Sequence, residues 1–158
     1  MKDPYIAKIT FYKSGNEEKS DVEGQLVDIL DLASDERGIA LIPQKTRALC
    51  QNEIHELLTT DELEAAPNKT VNKVDYIGLF EVTRGGVIAI GDSVFINDQN
   101  IGTIVGFDET HFPNHYNILL SSSVRISGHE AGFQLGDKVR IGSPLGKDSA
   151  VANPLVKG

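Results

Sequence analysis

Ile90-Gly91-Asp92-Ser93-Val94-Phe95-Ile96 is the stretch that decides the fold, because its pattern returns as Leu135-Gly136-Asp137-Lys138-Val139-Arg140-Ile141. Both copies have the pattern apolar-Gly-Asp-x-Val-x-Ile. Glycine adopts a positive φ easily and aspartate bonds backbone amides, so each copy predicts a tight turn that enters a strand. Valine and isoleucine two positions apart then face one core. Two such units favour many short strands that curl and close.

The segments around these two copies also have the composition of strands. They are rich in β-branched and aromatic residues and are bounded by glycine, proline, asparagine or aspartate. For Val22–Leu32 a short helix is the alternative, but Gly24 favours a strand with a bulge at that glycine. Further strands are predicted at Tyr5–Tyr12, Ile39–Ile42, Val71–Val82, Gly86–Ile90, Ile101–Phe107, Tyr116–Leu120 and Ser122–Ile126.

One segment has a helical pattern instead. Thr46–Thr59 places its leucines and Ile54 near one face at spacings of three and four residues. Thr60-Asp61-Glu62-Leu63 resembles a second helix start, with carboxylates in the first turn, where the helix dipole favours them. The predicted fold is therefore mainly β, a small closed or partly open antiparallel barrel or a sandwich. One or two short helices are expected around residues 46–66.

Length and charge suggest how the chain is organised. A chain of 158 residues is one ordinary domain, which we place at residues 1–142, followed by an extended or mobile tail at 143–158. Residues 1–66 hold 7 Lys/Arg and 14 Asp/Glu, a net charge of −7. The remaining residues hold 8 and 9, a net charge of −1. We thus expect an acidic N-terminal segment at 1–66 and a barrel-like part at 67–142.

Several classes of protein are disfavoured by the composition. Without clustered Lys and Arg interleaved with aromatic residues, nucleic-acid binding is not expected. No apolar run approaches 18 residues, so we expect no membrane partner, and the N-terminus lacks the apolar core of a signal peptide. One cysteine, Cys50, is compatible with a reducing compartment, and we predict a cytoplasmic protein. Because exposed strand edges often pair between chains, we also expect a homodimer.

The densest polar cluster is the loop Asp108–Asn117, which holds two of the four histidines and two adjacent carboxylates. Imidazole and carboxylate groups bind divalent metals, and they also serve as acid–base pairs. Long ordered loops are enriched in function. The candidate ligand-binding residues are Asp108, Glu109, His111, Asn114, His115 and, from another loop, His129.

The spacing of the two loop histidines argues against a standard metal site. His111 and His115 are four residues apart, but Pro113 between them makes a regular helix unfavourable. Phe112 stands where the zincin pattern needs glutamate, and a third ligand is not obvious. No cofactor is therefore predicted, with a divalent metal at His111 and His115 as an alternative. In the structural interpretation the loop is a packed connection that Phe112 and Pro113 anchor.

The run from Gly86 to Ile141 resembles the small β-barrel of the glucitol/sorbitol-specific IIA components of sugar phosphotransferase systems. The resemblance rests on Gly91-Asp92, Ile101–Phe107, the long connection, Tyr116–Leu120 and Gly136-Asp137. It implies a phosphoryl-accepting histidine on the strand before this run. Tyr76–Thr83, the corresponding strand, contains no histidine. The chain thus resembles an uncharacterised relative of such barrels more than a working transporter component.

Three functions are consistent with these patterns. Because no complete catalytic constellation is present, the first is a non-enzymatic module that binds a small polar ligand or a protein partner near Asp108–Asn117. The second is a metal-assisted hydrolase or isomerase that uses His111 and His115 with Asp108 or Glu109. The third is a phosphocarrier that acts at a histidine.

Overall fold

The computed structural model describes residues 18–143, and within that range it contains eleven strands and no helix. Most of the strands lie in segments rich in β-branched or aromatic residues, with glycine or polar residues between them. The strands are β1 (Val22–Ser34), β2 (Ile39–Ala40), β3 (Thr46–Leu49), β4 (Ile54–Thr60), β5 (Thr70–Val71), β6 (Val74–Arg84), β7 (Gly86–Ala89), β8 (Ser93–Ile96), β9 (Gln99–Asp108), β10 (Asn117–Ser121) and β11 (Lys138–Gly142).

Seven of these strands form a closed barrel in the order β1-β11-β8-β9-β10-β4-β6, and β6 pairs with β1 to complete it. All neighbours are antiparallel except β10 and β4, which run parallel. The remaining strands form two ribbons, β2–β5 and β3–β7. The predicted mainly β class is confirmed, and the barrel is closed. It is not confined to residues 67–142, since β1 and β4 supply two of its strands.

The two copies of the repeated pattern form the predicted turns. Gly91 and Gly136 have φ values of 94° and 88°. The carboxylates of Asp92 and Asp137 each accept a hydrogen bond, at 2.9 Å, from the backbone amide three residues earlier. The strands that follow, β8 and β11, pair with each other in the barrel. The repeated segments are therefore neighbours in space.

Each repeated turn also docks on a further strand in the same way. The Gly91 amide donates to the Ile104 carbonyl, and the Ile104 amide donates back to the Asp92 carbonyl, both at 2.9 Å. Gly136 and Asp137 make the equivalent pair of bonds with Leu26 on β1, at 2.8 and 2.9 Å. Because two backbone bonds fix each turn, the pattern sets the curvature of the barrel at two places.

The helix prediction around residues 46–66 is wrong, because this segment forms β3, β4 and turns. In a strand, adjacent side chains point to opposite faces. Leu57 packs in the interior of the barrel, whereas Leu58 packs in a second core under the β2–β5 ribbon. A strand buried on both faces carries apolar residues at adjacent positions, and these produced spacings that imitate a helical face.

Two apolar cores hold the fold together. The larger core fills the barrel and includes Phe80 and Phe107, both fully buried. The smaller core packs Ile39, Leu41 and Val71 against the outer face of β4, β6 and β10. At Gly106 an added Cβ would lie 2.7 Å from Leu41 Cδ1, so the glycine allows the side chains of the smaller core to pack close to the barrel.

The remaining strand predictions had different outcomes. Val22–Leu32 is a strand, and its register with β6 shifts between Glu23 and Gly24, as the predicted bulge requires. Ser122–Ile126 is not a strand, because it leaves the sheet and places Arg125 against Asp75. Tyr5–Tyr12 and the tail beyond Ser143 lie outside the described residues. Over residues 18–143, no helix is long and apolar enough to cross a membrane.

Candidate functional site

The loop between β9 and β10 is closed at its base by the two residues that bound it. Asp108 and Asn117 are paired in register, and Asn117 Nδ2 donates to Asp108 Oδ2 at 2.7 Å. The other carboxylate oxygen of Asp108 accepts from Thr110 Oγ1 at 2.7 Å. Asp108 is almost fully buried, so both of its oxygens serve the loop rather than a ligand.

Aromatic and cationic groups hold the loop against β3 and β4. The ring of Tyr116 stacks on His55 and Phe112, with ring centroids 5.3 and 5.1 Å apart. The Arg47 guanidinium lies 5.0 Å from the centroid of Tyr116, within the range of a cation–π contact. Arg47 Nη2 also donates to Glu109 Oε2 at 2.7 Å. Arg47 thus joins both ends of the loop to β3.

A buried histidine–glutamate pair lies beneath the loop. His115 Nε2 is 3.2 Å from Glu56 Oε1 on β4, and both side chains are about nine-tenths buried. His115 Nδ1 is 2.7 Å from Asn114 Oδ1. His111 stacks on His115 with ring centroids 5.1 Å apart. Two loop histidines and one strand carboxylate therefore form one cluster.

The hydrogen bond between His115 and Asn114 restricts the protonation states that the His115–Glu56 pair can adopt. A carbonyl oxygen only accepts, so His115 Nδ1 is the donor. If the imidazole is neutral, its Nε2 carries a lone pair and only accepts a hydrogen bond. The Glu56 carboxyl group must then be protonated to donate it. If it is charged, Nε2 donates to the Glu56 carboxylate. Burial raises the pKa of Glu56, and the hydrogen bond and charge interaction with His115 partly offset this effect.

A second histidine–glutamate pair joins His55 on β4 to Glu53, which directly precedes the strand. His55 Nε2 is 3.0 Å from Glu53 Oε1, and His55 Nδ1 accepts from the Tyr116 backbone amide at 3.0 Å. Burial lowers the pKa of His55, and the Glu53 carboxylate only partly offsets this effect. Burial alone would raise the pKa of Glu53, but hydrogen bonds from His55 and the Cys50 amide lower it. The neutral imidazole and the ionised carboxylate are therefore favoured.

A groove of about 620 Å³ opens between the turn before β4 and the tip of the loop. One wall carries Glu53, Ile54 and His55, and the other carries Phe112, Asn114 and Tyr116. The side chains of Ile54 and Phe112 are exposed although they are large and apolar, at 42% and 53%. The groove thus combines apolar surface with a carboxylate and amide groups.

The predicted site residues have different positions in this arrangement. The loop brings His111, Asn114 and His115 together, whereas Asp108 closes its base and Glu109 pairs with Arg47. His129 lies elsewhere, because its backbone amide is bonded to Leu30 on β1. In the barrel β6 separates β1 from β4, so His129 is not part of the cluster.

Sequence reasoning missed His55 and Glu56 on β4 and Glu53 in the turn just before this strand. On a helix, His55 between two glutamates indicates a solvated side chain, yet only 4% of its surface is exposed. A strand interpretation would have placed Glu53 and His55 on one face, two residues apart. That alternation is the signal that was available in the sequence.

A metal centre is not assembled in the part of the chain that the structure describes. Among residues 18–143, no group of three or more His, Cys, Asp or Glu residues is placed to hold a metal ion. His111 and His115 are stacked ring on ring rather than converging through their nitrogens on one point. The nitrogens of His115 already face Asn114 and Glu56.

The comparisons with known proteins agree with an uncharacterised barrel. No curated protein and no solved structure was found to match the chain. The resemblance to the glucitol/sorbitol-specific IIA barrel is therefore not confirmed. One family model matches residues 16–142, which include every strand described above. The chain belongs to the family of unknown function DUF6917.

Proposed function

We propose that this protein is a non-enzymatic binding module that holds a small polar ligand in the groove between β4 and the 109–116 loop. The observation that carries the proposal is the groove itself. Its volume of about 620 Å³ falls within the range of about 300–1,000 Å³ that is usual for small-molecule sites. Half of its lining residues are apolar, and the others supply polar groups that can orient a ligand.

Binding is favoured over catalysis by the protonation of the two titratable groups in the groove. A general acid or base works best when its pKa lies near the working pH. The pKa of Glu53 is lowered, and so is that of His55, which keeps one ionised and the other neutral at pH 7. Both ring nitrogens of His55 are also engaged, with Glu53 and with the Tyr116 amide. His55 therefore has no free ring nitrogen for proton transfer, and the pKa of neither group is shifted toward neutral pH.

The two enzymatic alternatives receive less support from the same contacts. A metal site at His111 and His115 would need Asp108 or Glu109, but the oxygens of Asp108 are bonded within the loop and Glu109 holds Arg47. Phosphoryl transfer needs an accessible ring nitrogen. Both nitrogens of His55 and His115 face partners, which leaves the exposed His111 and His129 as acceptors.

A ligand screen by thermal unfolding tests the proposal. The panel contains sugars, organic acids, amines and nucleosides, and a ligand at about 100 times its dissociation constant should add about 2.7 kcal/mol. For a chain of this length that corresponds to about 5–10 °C. Phe112→Ala should abolish the shift, whereas Leu63→Ala, at a side chain that is 98% exposed and does not line the groove, should retain it.

The screen can either support or exclude a small polar ligand in the groove. A midpoint that stays constant across the panel would exclude a small polar ligand. A shift that survives Phe112→Ala would place the ligand outside the groove. Stoichiometric metal in protein purified without an affinity tag, or acid-labile phosphate after incubation with a phosphotransfer donor, would favour one of the enzymatic alternatives instead.

We further propose that the module works as a cytoplasmic homodimer. Since the barrel is closed, its own strands offer no free edge, and in the range 18–143 the free edges belong to the β2–β5 and β3–β7 ribbons. Pairing between two copies would use one of these ribbons. Sedimentation equilibrium of the purified chain measures the mass directly, and a monomer at all concentrations would exclude the dimer.

A further inference from the structure

We infer that the ligand of the groove is an organic cation, a primary ammonium group carried on an apolar or aromatic body. The inference rests on the proposed function, because it names the class of ligand that the same groove would take. Three features of the groove support it: a fixed carboxylate, the lack of a lysine or arginine among its described lining residues, and exposed apolar side chains beside the carboxylate.

The carboxylate of Glu53 is held in place before any ligand arrives. Its Oε1 accepts two hydrogen bonds, from the Cys50 amide at 2.9 Å and from His55 Nε2 at 3.0 Å. Its Oε2 has no hydrogen-bond partner among the described residues, and 43% of the side chain is exposed. One oxygen thus anchors the group while the other is available to a donor in the groove. A preorganised charge binds its counter-ion with less loss of side-chain entropy.

Among residues 18–143, no lysine or arginine forms an ion pair with this carboxylate. Among the described residues that line the groove there is no lysine or arginine. Arg47, which holds the loop from β3, is engaged by Glu109 and by the ring of Tyr116. His55 donates through Nε2 while its Nδ1 accepts from a backbone amide, which is the pattern of a neutral imidazole. The groove therefore presents an uncompensated negative charge.

The walls beside Glu53 suit the body of an amine rather than a bare inorganic ion. Ile54 and Phe112 expose large apolar surfaces to the groove. An aromatic face attracts a cation through its quadrupole and also stacks on another ring. Asn52 lines the same groove, and its side-chain amide oxygen provides an acceptor for a further ammonium hydrogen. The net charge of −8 favours the approach of a cation over that of an anion.

The test compares three probes that share one scaffold and differ in charge: benzylammonium, benzyl alcohol and benzoate. Each is titrated into the full ¹⁵N-labelled chain at pH 7.5 and low salt, and binding is followed by the amide shifts of residues 52–55 and 112–116. We expect benzylammonium to bind about tenfold more tightly than benzyl alcohol, since a hydrogen bond to a charged group has about that effect. Benzoate should bind most weakly.

Glu53→Gln is the diagnostic variant, because glutamine keeps an Oε1 acceptor for the Cys50 amide and for His55 while removing the charge. It should weaken benzylammonium binding about tenfold and leave benzyl alcohol unchanged. Glu64→Gln, which removes an exposed carboxylate outside the groove, is the matched control and should change neither affinity. Added salt should weaken the ammonium probe alone.

The outcomes separate the two proposals. If benzyl alcohol or benzoate shifts the groove amides as strongly as benzylammonium does, the cation inference is overturned and the binding function stands. If none of the three probes shifts these amides, the cation inference is overturned, and the thermal screen of the wider panel decides the binding function independently. Benzylammonium binding that Glu53→Gln leaves intact would also overturn the inference.

Discussion

His55 Nδ1 accepts a hydrogen bond at 3.0 Å from the backbone amide of Tyr116, a residue 61 positions later in the chain. A backbone amide only donates, so the ring proton of neutral His55 lies on Nε2 and points to Glu53. This single bond fixes the tautomer of the imidazole and ties the end of the loop to β4. Protonation of Nδ1 would break it. The loop and the protonation state of His55 are therefore linked.

The first prediction concerns this linkage. His55 should titrate below its ordinary pKa, because burial disfavours the charged ring. The unfolded chain takes up the proton at a higher pH than the folded one. The stabilising contribution of neutral His55 is thus complete above the ordinary histidine pKa of about 6.5. It is lost as pH falls through the pKa of His55 in the folded chain. Long-range ¹H–¹⁵N spectra of the imidazoles from pH 8 to 5 should show Nε2 protonated and Nδ1 bare at neutral pH.

A variant gives this prediction a thermodynamic check. Urea denaturation of wild type and of His55→Gln at pH 7.5 and 5.5 should show a smaller loss of stability on acidification in the variant, since its side chain does not titrate. Equal losses in the two proteins, or an Nδ1-protonated imidazole at neutral pH, would contradict the assignment.

The second prediction concerns the Glu56–His115 pair. His115→Ala leaves a buried carboxyl group without its imidazole partner, and we expect a loss of about 1–3 kcal/mol in the free energy of unfolding. Adding Glu56→Gln to that variant should restore part of the loss, because the remaining group no longer carries a charge. Urea midpoints of the four proteins form a double-mutant cycle. Additive effects would show that the two side chains do not interact.

The third prediction concerns the pH dependence of the same pair. Burial raises the pKa of Glu56, so the folded chain retains this proton to a higher pH than the unfolded chain does. The stabilising contribution of protonated Glu56 is complete below the ordinary glutamate pKa. It is lost as pH rises through the pKa of Glu56 in the folded chain. Glu56→Gln should therefore gain stability relative to wild type between pH 4.5 and pH 8. A difference between the two proteins that is constant with pH would exclude the raised pKa.

Much of the barrel could be predicted from the sequence, because its determinants are local. Gly91 and Gly136 take the positive φ that the repeated pattern requires, and their aspartates cap the turns as expected. The parallel pairing of β10 with β4 could not be predicted. It depends on the order of strands around the barrel, which no short pattern specifies.

The site could be predicted only in part, for a related reason. The loop histidines are visible in the sequence as a polar cluster. Their partners on β4 are not recognisable, because the adjacent Leu57 and Leu58, which face two different cores, give the segment a helical pattern. Adjacent apolar residues suggested a helix and made His55 look solvated. The His115–Glu56 pair joins residues 59 positions apart, so only the tertiary structure brings it together.

The fourth prediction concerns Arg125, which fastens the segment after β10 to the barrel. Its guanidinium donates to Asp75 at 2.6 Å and to Asp35 at 3.1 Å, and also to two backbone carbonyls. Arg125→Met should cost about 2–3 kcal/mol, since it leaves the buried Asp75 carboxylate without its charged partner. Arg84→Met is the control, because the Arg84–Glu23 pair is 3.7 Å apart and exposed.

The control substitution should change the free energy of unfolding by less than about 0.5 kcal/mol. Urea denaturation of both variants measures the contrast. An equal effect at the two arginines would show that the network around Arg125 is no stronger than a surface ion pair.

The fifth prediction concerns Gly128, where the chain passes directly over β6. Its amide donates to the Tyr76 carbonyl at 3.1 Å, and a Cβ at this position would collide with the backbone carbonyl oxygen of Ile77. A strand in the barrel cannot shift without losing its pairing, so Gly128→Ala should cost about 3 kcal/mol or prevent folding.

Gly132→Ala is the control, because Gly132 has a φ of 82° but nothing within 4 Å of an added Cβ. It should cost about 1 kcal/mol, from backbone strain alone. The yield of folded protein and the urea midpoint distinguish the two variants, and equal midpoints would mean that the backbone at Gly128 has room to move away from β6.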